Sequence, residues 1–212
     1  MAISKANFNS FNVTPTASKF ITFNSSNDGL AADDVGGSLV LISTVTISSA
    51  TSAASFTSDI DSTYKEYIFK YINVHGPNAA LQVGFRDGDT DYDATKTTTF
   101  FKASHAENDS DTDLSYRTGG DIAQGTGFQS LGSTPGTDND QSITGTLHLF
   151  DPSNTTFIKH FLSESSTNAD AGTMQHTFVG GYCNTTTAID GVQFKFSSGN
   201  IDSGIFKMYG VT

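Results

Sequence analysis

No apolar stretch in this chain repeats at a helical spacing. Each is short, alternates or is β-branched, and gives way to a turn signal within about a dozen residues. Residues 64–75 are the clearest case, with Tyr67, Phe69 and Tyr71 on one face and Ile68, Ile72 and Val74 on the other. Apolar groups on both faces predict a central strand, one side in a core and the other partly covered. Leu81, Val83 and Phe85 then alternate with polar residues up to the Arg86-Asp87-Gly88-Asp89 turn. Residues 142–150 place Ile143, Leu147 and Leu149 inward, Asp151-Pro152-Ser153-Asn154 turns the chain, and residues 156–162 form the hairpin partner. Residues 39–47, 97–101, 175–183, 191–197 and 203–211 complete the set, with a short strand around Phe56, and Val192, Phe194 and Phe196 share one face. About eight to ten strands spaced by turns predict an all-β, antiparallel β-sandwich of jelly-roll-like type.

Such a core has to be built from few residues, because only 36% of the chain is hydrophobic. The 17 Phe and 7 Tyr supply the volume, since large rings fill a sandwich with few positions. The length of 212 residues suits one such domain. Residues 1–37 stand apart: Phe8, Phe11, Phe20 and Phe23 are scattered without clear period, and the stretch ends in Asp33-Asp34-Val35-Gly36-Gly37. It reads as an N-terminal arm or docking segment ahead of a sandwich domain at 38–212, with an edge of the same sandwich as the other reading.

Eleven Lys and Arg stand against 22 Asp and Glu, a formal charge of -11, with no basic cluster. Phosphate neutralisation needs clustered cations, so no nucleic-acid partner is expected. Residues 1–20 lack the charged start and apolar run of a secretory signal, and no segment reaches the length of a membrane span, so membrane insertion is not expected. Five Asn-x-Ser/Thr triplets, at Asn12, Asn24, Asn108, Asn154 and Asn184, carry no weight in that setting. The single cysteine, Cys183, follows Gly180-Gly181-Tyr182 at a strand end and reads as a buried structural thiol.

The motifs that carry chemistry are weak. Asp87, Asp89, Asp91 and Asp93 alternate like the ligands of a calcium loop. With Asp87 as position one, however, Gly88 falls at position two and Thr98 at position twelve, so the EF-hand pattern fails. Asp-Gly is a hairpin signal in its own right, and a solvated turn is the preferred reading. Asp109, Asp111 and Asp113 repeat the pattern and could converge with the first cluster on one cation, a soluble acidic loop being preferred. The histidines at 75, 105, 148, 160 and 176 are dispersed; His148 and His160 face each other across the expected hairpin, but zinc needs further ligands. No Gly-x-Ser-x-Gly elbow, phosphate-cradling loop or singled-out carboxylate pair is present. The chain is therefore expected to be non-enzymatic, with no catalytic residue, cofactor or metal.

Residues 104–113 and 118–140 are long polar stretches anchored only by Ile122, Phe128 and Leu131. They read as surface loops, the usual carriers of recognition on a β-scaffold. Asn108, Asp109, Asp111 and Tyr116 are the candidate contacts to a host glycan or protein partner.

The segments YKEYIFKYINVHG, LQVGFRDGD, SITGTLHLFDPS and SSGNIDSGIFKMYGV resemble virion structural proteins of marine tailed bacteriophages such as cyanophages, across residues 60–212. The carriers are structural: Ser198 to Ile201, Ser203 and Gly204, then Lys207, Tyr209 and Gly210 of a closing strand, with Phe206 and Met208, or Ile205 and Tyr209, sealing the core. The resemblance implies a virion location, as a capsid decoration or a tail or fibre module docked on other virion proteins. It also implies a homo-oligomer, a trimer first. A receptor-binding, lectin-like module contacting host surface glycan through loops 104–140 is the alternative.

Overall fold

The computed structural model describes residues 19–23, 30–34, 38–169 and 172–212. The chain divides into two compact units, residues 1–38 and 39–212. In the first, β1 (Lys19–Phe23) pairs antiparallel with β2 (Leu30–Asp34), Lys19 opposite Asp34. The rest of the expected arm, Phe8 and Phe11 included, lies outside the described residues.

The second unit is all β. In chain order its strands are β3 (Leu39–Ile47), β4 (Ala54–Phe56), β5 (Glu66–His75), β6 (Leu81–Arg86), β7 (Lys96–Ala106) and β8 (Thr112–Tyr116), followed by β9 (Gln129–Ser130), β10 (Ile143–Phe150), β11 (Lys159–Ala169), β12 (Thr173–Cys183), β13 (Gly191–Phe196) and β14 (Ser203–Val211). Eight of them form one sheet in the order β3-β14-β5-β10-β11-β12-β7-β8, and four form a second, β4-β13-β6-β9. Every strand pairing is antiparallel, so the expected antiparallel sandwich is what the chain forms.

Rings fill the space between the sheets. Phe69 and Tyr71 of β5 and Phe206 of β14 surround Phe194 of β13, with centroids 6.0, 5.9 and 5.3 Å away. Phe85 of β6 meets Phe161 of β11 at 4.8 Å. Each such pair adds about 0.5–1.5 kcal/mol beyond area burial. Ile143, Leu147 and Leu149 of β10 and Leu81, Val83 and Phe85 of β6 are fully buried, as their alternation predicts, and Phe206 and Met208 are the members of β14 that seal the core.

Three local readings need correction. Val74 lies in the core with Tyr67, Phe69 and Tyr71, not on the opposite face. An extra residue on β5 shifts the register against both neighbours, and Asn73, at φ 47°, is the bulged residue, its N–H donating to Thr144 Oγ1 at 3.0 Å. β11 runs on to Ala169 through a polar stretch, because Ser163 and Ser165 point inward with their hydroxyls on the Thr146 and Leu131 carbonyls. The 104–140 stretch is only partly loop. β7 continues to Ala106 and returns as β8, while buried Gln129 accepts from Thr98 Oγ1 at 2.6 Å and draws residues 118–131 over the inner face.

Two lysines are also buried in the sandwich. Lys96 donates to the Gly127 carbonyl at 2.8 Å and Lys159 to those of Thr185 and Thr187 at 2.9 and 2.5 Å. Between them in register stands Cys183, fully buried as expected, whose thiol burial pushes up to about 12. Those carbonyls solvate the two ammonium groups in place of water, which is how a cation is tolerated there.

Candidate interaction face

The two sheets differ in size, and the small one lies against the inner face of the large one. Among the described residues of the second unit, no strand layer covers the outer face of the eight-stranded sheet. The period of two that sends core residues inward sends the alternate members of each strand to that face. Many are large and apolar: Leu114 is 75% exposed, Leu162 53%, Tyr116 51%, Met174 44% and Phe101 39%. Phe101 of β7 stacks on Phe178 of β12 at 4.9 Å, and His176 meets the same ring at 4.5 Å.

Register aligns these groups into rows. One row crosses the whole sheet: Thr44, Lys207, Lys70, Thr146, Glu164, Phe178, Phe101 and Tyr116, each opposite the next. The cations sit at one side of it and the aromatics at the other. The only formal charges among the outward residues of this sheet are Lys70, Lys207, Glu66 and Glu164, two of each sign, in a chain of net charge -11. Glu66 is taken up by His148 Nδ1 at 2.6 Å, and Lys70 Nζ lies 5.6 Å from the Tyr209 ring centroid. The face is thus apolar and charge-balanced in an otherwise acidic chain, and large exposed apolar patches of that kind are uncommon on monomeric proteins.

Beside the Gly180 position the face dips into a groove of about 450 Å³ between Phe150, His160, Leu162 and Tyr182, where a residue without a side chain leaves the floor open. His148 and His160 both reach this face, but His148 stands opposite Leu162 and His160 opposite Tyr182, so they are diagonal neighbours and not a facing pair.

The candidate contacts of the 104–140 stretch are split. Asn108, Asp109 and Asp111 occupy the tip of the β7–β8 hairpin. There the Asn108 side chain accepts from Ser110 N–H, and Asp109, at φ 59°, meets His105 at 3.0 Å. Tyr116 lies at the far end of β8, about 17 Å from Asp111 at strand rise, and its hydroxyl donates to Asp121 at 2.6 Å. The hairpin does not bring the four together. Around Tyr116 there is instead a shallow basin of about 500 Å³ with Phe100, Lys102, Arg117, Ser130 and Ser133 in its wall. Burial and the nearby Arg117 guanidinium hold the Lys102 ammonium below its usual range, and Arg117 is paired with Asp113. Lys102 and Arg117 had no motif to mark them; only pairing of β7 with β8 makes them neighbours.

Of the aspartates in the Asp87–Asp93 run, Asp87, Asp89 and Asp93 carry carboxylate oxygens within 4.8 Å of one another, while Asp91 does not join them and donates its N–H to Asp89. Asp109, Asp111 and Asp113 do not converge with them. Asp87 is half-buried, and Asp89 and Asp93 are exposed.

No protein-family model matches this chain, and no curated protein matches it in sequence. The fold is an antiparallel β-sandwich, and among the described residues of the second unit no strand layer covers the apolar outer face of its larger sheet.

Proposed function

We propose that this chain is a non-enzymatic structural component of a bacteriophage virion, a capsid decoration or a tail or fibre module, and that the outer face of the eight-stranded sheet is its docking surface. The observation that carries the reading is the charge-balanced apolar face, with Leu114, Tyr116, Leu162, Met174 and Phe101 open to solvent. Surfaces of that size and composition are costly in an isolated soluble protein and are kept where another protein covers them. The likeness of the C-terminal Ser-Gly-Asn-Ile-x-Ser-Gly segment and closing strand to phage virion proteins supports the setting. Phe101→Glu is expected to leave the sandwich folded and to remove the protein from particles assembled in its presence. Incorporation at the wild-type level would overturn the docking role of the face.

A second reading is a receptor-binding module that contacts host surface glycan. The basin around Tyr116 favours it, because an exposed ring beside Arg117 and two serine hydroxyls offers both stacking and hydrogen bonds to a sugar. Binding on a glycan array that is lost with Tyr116→Ala would support it; an empty array with the folded protein would remove it.

A further inference from the structure

The docking reading leaves the occupant of the face unnamed, and the row that crosses the sheet names one. We infer that the face is self-complementary and that a second copy of this chain covers it, about a two-fold axis running along β10; the inference rests on the docking role proposed above.

Thr146 of β10 stands at the middle of the charged part of the row, with Lys70 on one side and Glu164 on the other. A two-fold axis lying in the interface along β10 sets each strand against its mirror position, β5 over β11 and β14 over β12. Lys70 then faces Glu164 of the second copy, and Glu164 faces its Lys70. Lys207 faces the ring of Phe178, an arrangement that attracts a cation to an aromatic face. An axis across the strands instead sets each strand on its own copy, Lys70 against Lys70 and Glu164 against Glu164, which repels. The charge pattern therefore selects one of the two simplest face-to-face arrangements.

Among the described residues, neither Lys70 nor Glu164 has an ion-pair partner within the chain. Beside Glu164 lies a dimple of about 190 Å³ walled by Thr146, His148 and Leu162, open on the side from which the second copy's lysine would enter. Each of the two residues is one strand, about 4.8 Å, from the axis, so the twist between packed sheets barely separates them. Seven strands overlap about this axis, β8 having no counterpart, and at about eight residues each they present roughly 900 Å², against about 800 Å² per partner in a standard specific interface. Elsewhere the net charge of -11 pushes two copies apart, and this face, with two positive and two negative groups, is where they can approach.

Sedimentation velocity on the full chain and on its Lys70→Glu and Glu164→Lys variants tests the inference without any other ligand. The wild type is expected at twice the 22.5 kDa chain mass. Each single variant sets like charges across the axis twice and is expected to dissociate at least about tenfold more readily. In an equimolar mixture of the two variants, the acid introduced at position 70 of one copy meets the base introduced at position 164 of the other. Across the second contact the native Glu164 meets the native Lys70, so the mixture is expected to recover wild-type association. Recovery also shows that both variants are folded. A monomeric or trimeric wild type, or single variants that associate like the wild type, would overturn the inference. If the wild type is monomeric while Phe101→Glu still blocks incorporation, the docking role stands and only its occupant is wrong.

Discussion

Cys183 shows how a residue's neighbours decide its chemistry. It stands between Lys96 and Lys159 in register, a setting that in water would favour the thiolate, yet burial outweighs both cations and raises the thiol to about 12. Alkylation by iodoacetamide is expected to be negligible on the native protein at pH 8 and to reach one equivalent once it is unfolded. The raised value also has a sign in stability. The native state holds the proton more tightly than the unfolded state, so the contribution is complete below the ordinary thiol value of 9.0 and is lost as pH rises from there to about 12. Burial lowers Lys96 and Lys159 in the opposite sense, so their stability contribution rises over the alkaline range. Comparing urea midpoints of the wild type and Cys183→Ala from pH 8 to 11 separates the two effects: the wild type is expected to lose more stability over that range. The same scale shows what a sequence conceals. Cys183 was legible as a buried thiol from its strand-end setting, whereas Lys96 and Lys159 carried no sign of burial, because the carbonyls that solvate them come from residues 126–127 and 185–187.

At the scale of the element, alternation was a sound guide until a strand changed its count. The β5 pattern located Tyr67, Phe69 and Tyr71 correctly, and a strict period of two sent Val74 outward. The bulge at Asn73 reverses it, and nothing local demands a bulge except an asparagine, a residue that tolerates positive φ. Asn73→Gly is expected to cost less than about 1 kcal/mol, since glycine takes φ 47° freely, whereas Asn73→Val is expected to cost about 1–3 kcal/mol in urea unfolding. Equal effects of the two would mean that the side chain's contacts with Thr144, and not the backbone, hold the bulge. The polar half of β11 was illegible for a related reason. Its inward serines look like solvent-facing residues until Tyr71 of β5, two strands away across β10, and the Leu131 carbonyl supply their hydrogen bonds.

For the whole molecule, the sandwich core formed by the described residues lies entirely within residues 39–212. A chain beginning at Leu39 is therefore expected to unfold in a single transition with a midpoint within about 4 °C of the full chain, a shift of less than about 1 kcal/mol for a domain of this size. Loss of the transition would make the first unit part of the fold.

Composition, turn spacing and alternation determined by themselves that this chain is an antiparallel β-sandwich with a core of Phe and Tyr, because a period of two and the conformational preferences of turn residues are local properties. They also established that half of each strand faces away from that core. Which outward residues share a row is a property of register, set by hydrogen bonds between residues as distant in sequence as Lys207 and Thr44. Only the tertiary structure could therefore show that one sheet outgrows the other, that its outward residues include a set of large apolar groups, and that Lys70 and Glu164 flank a common strand.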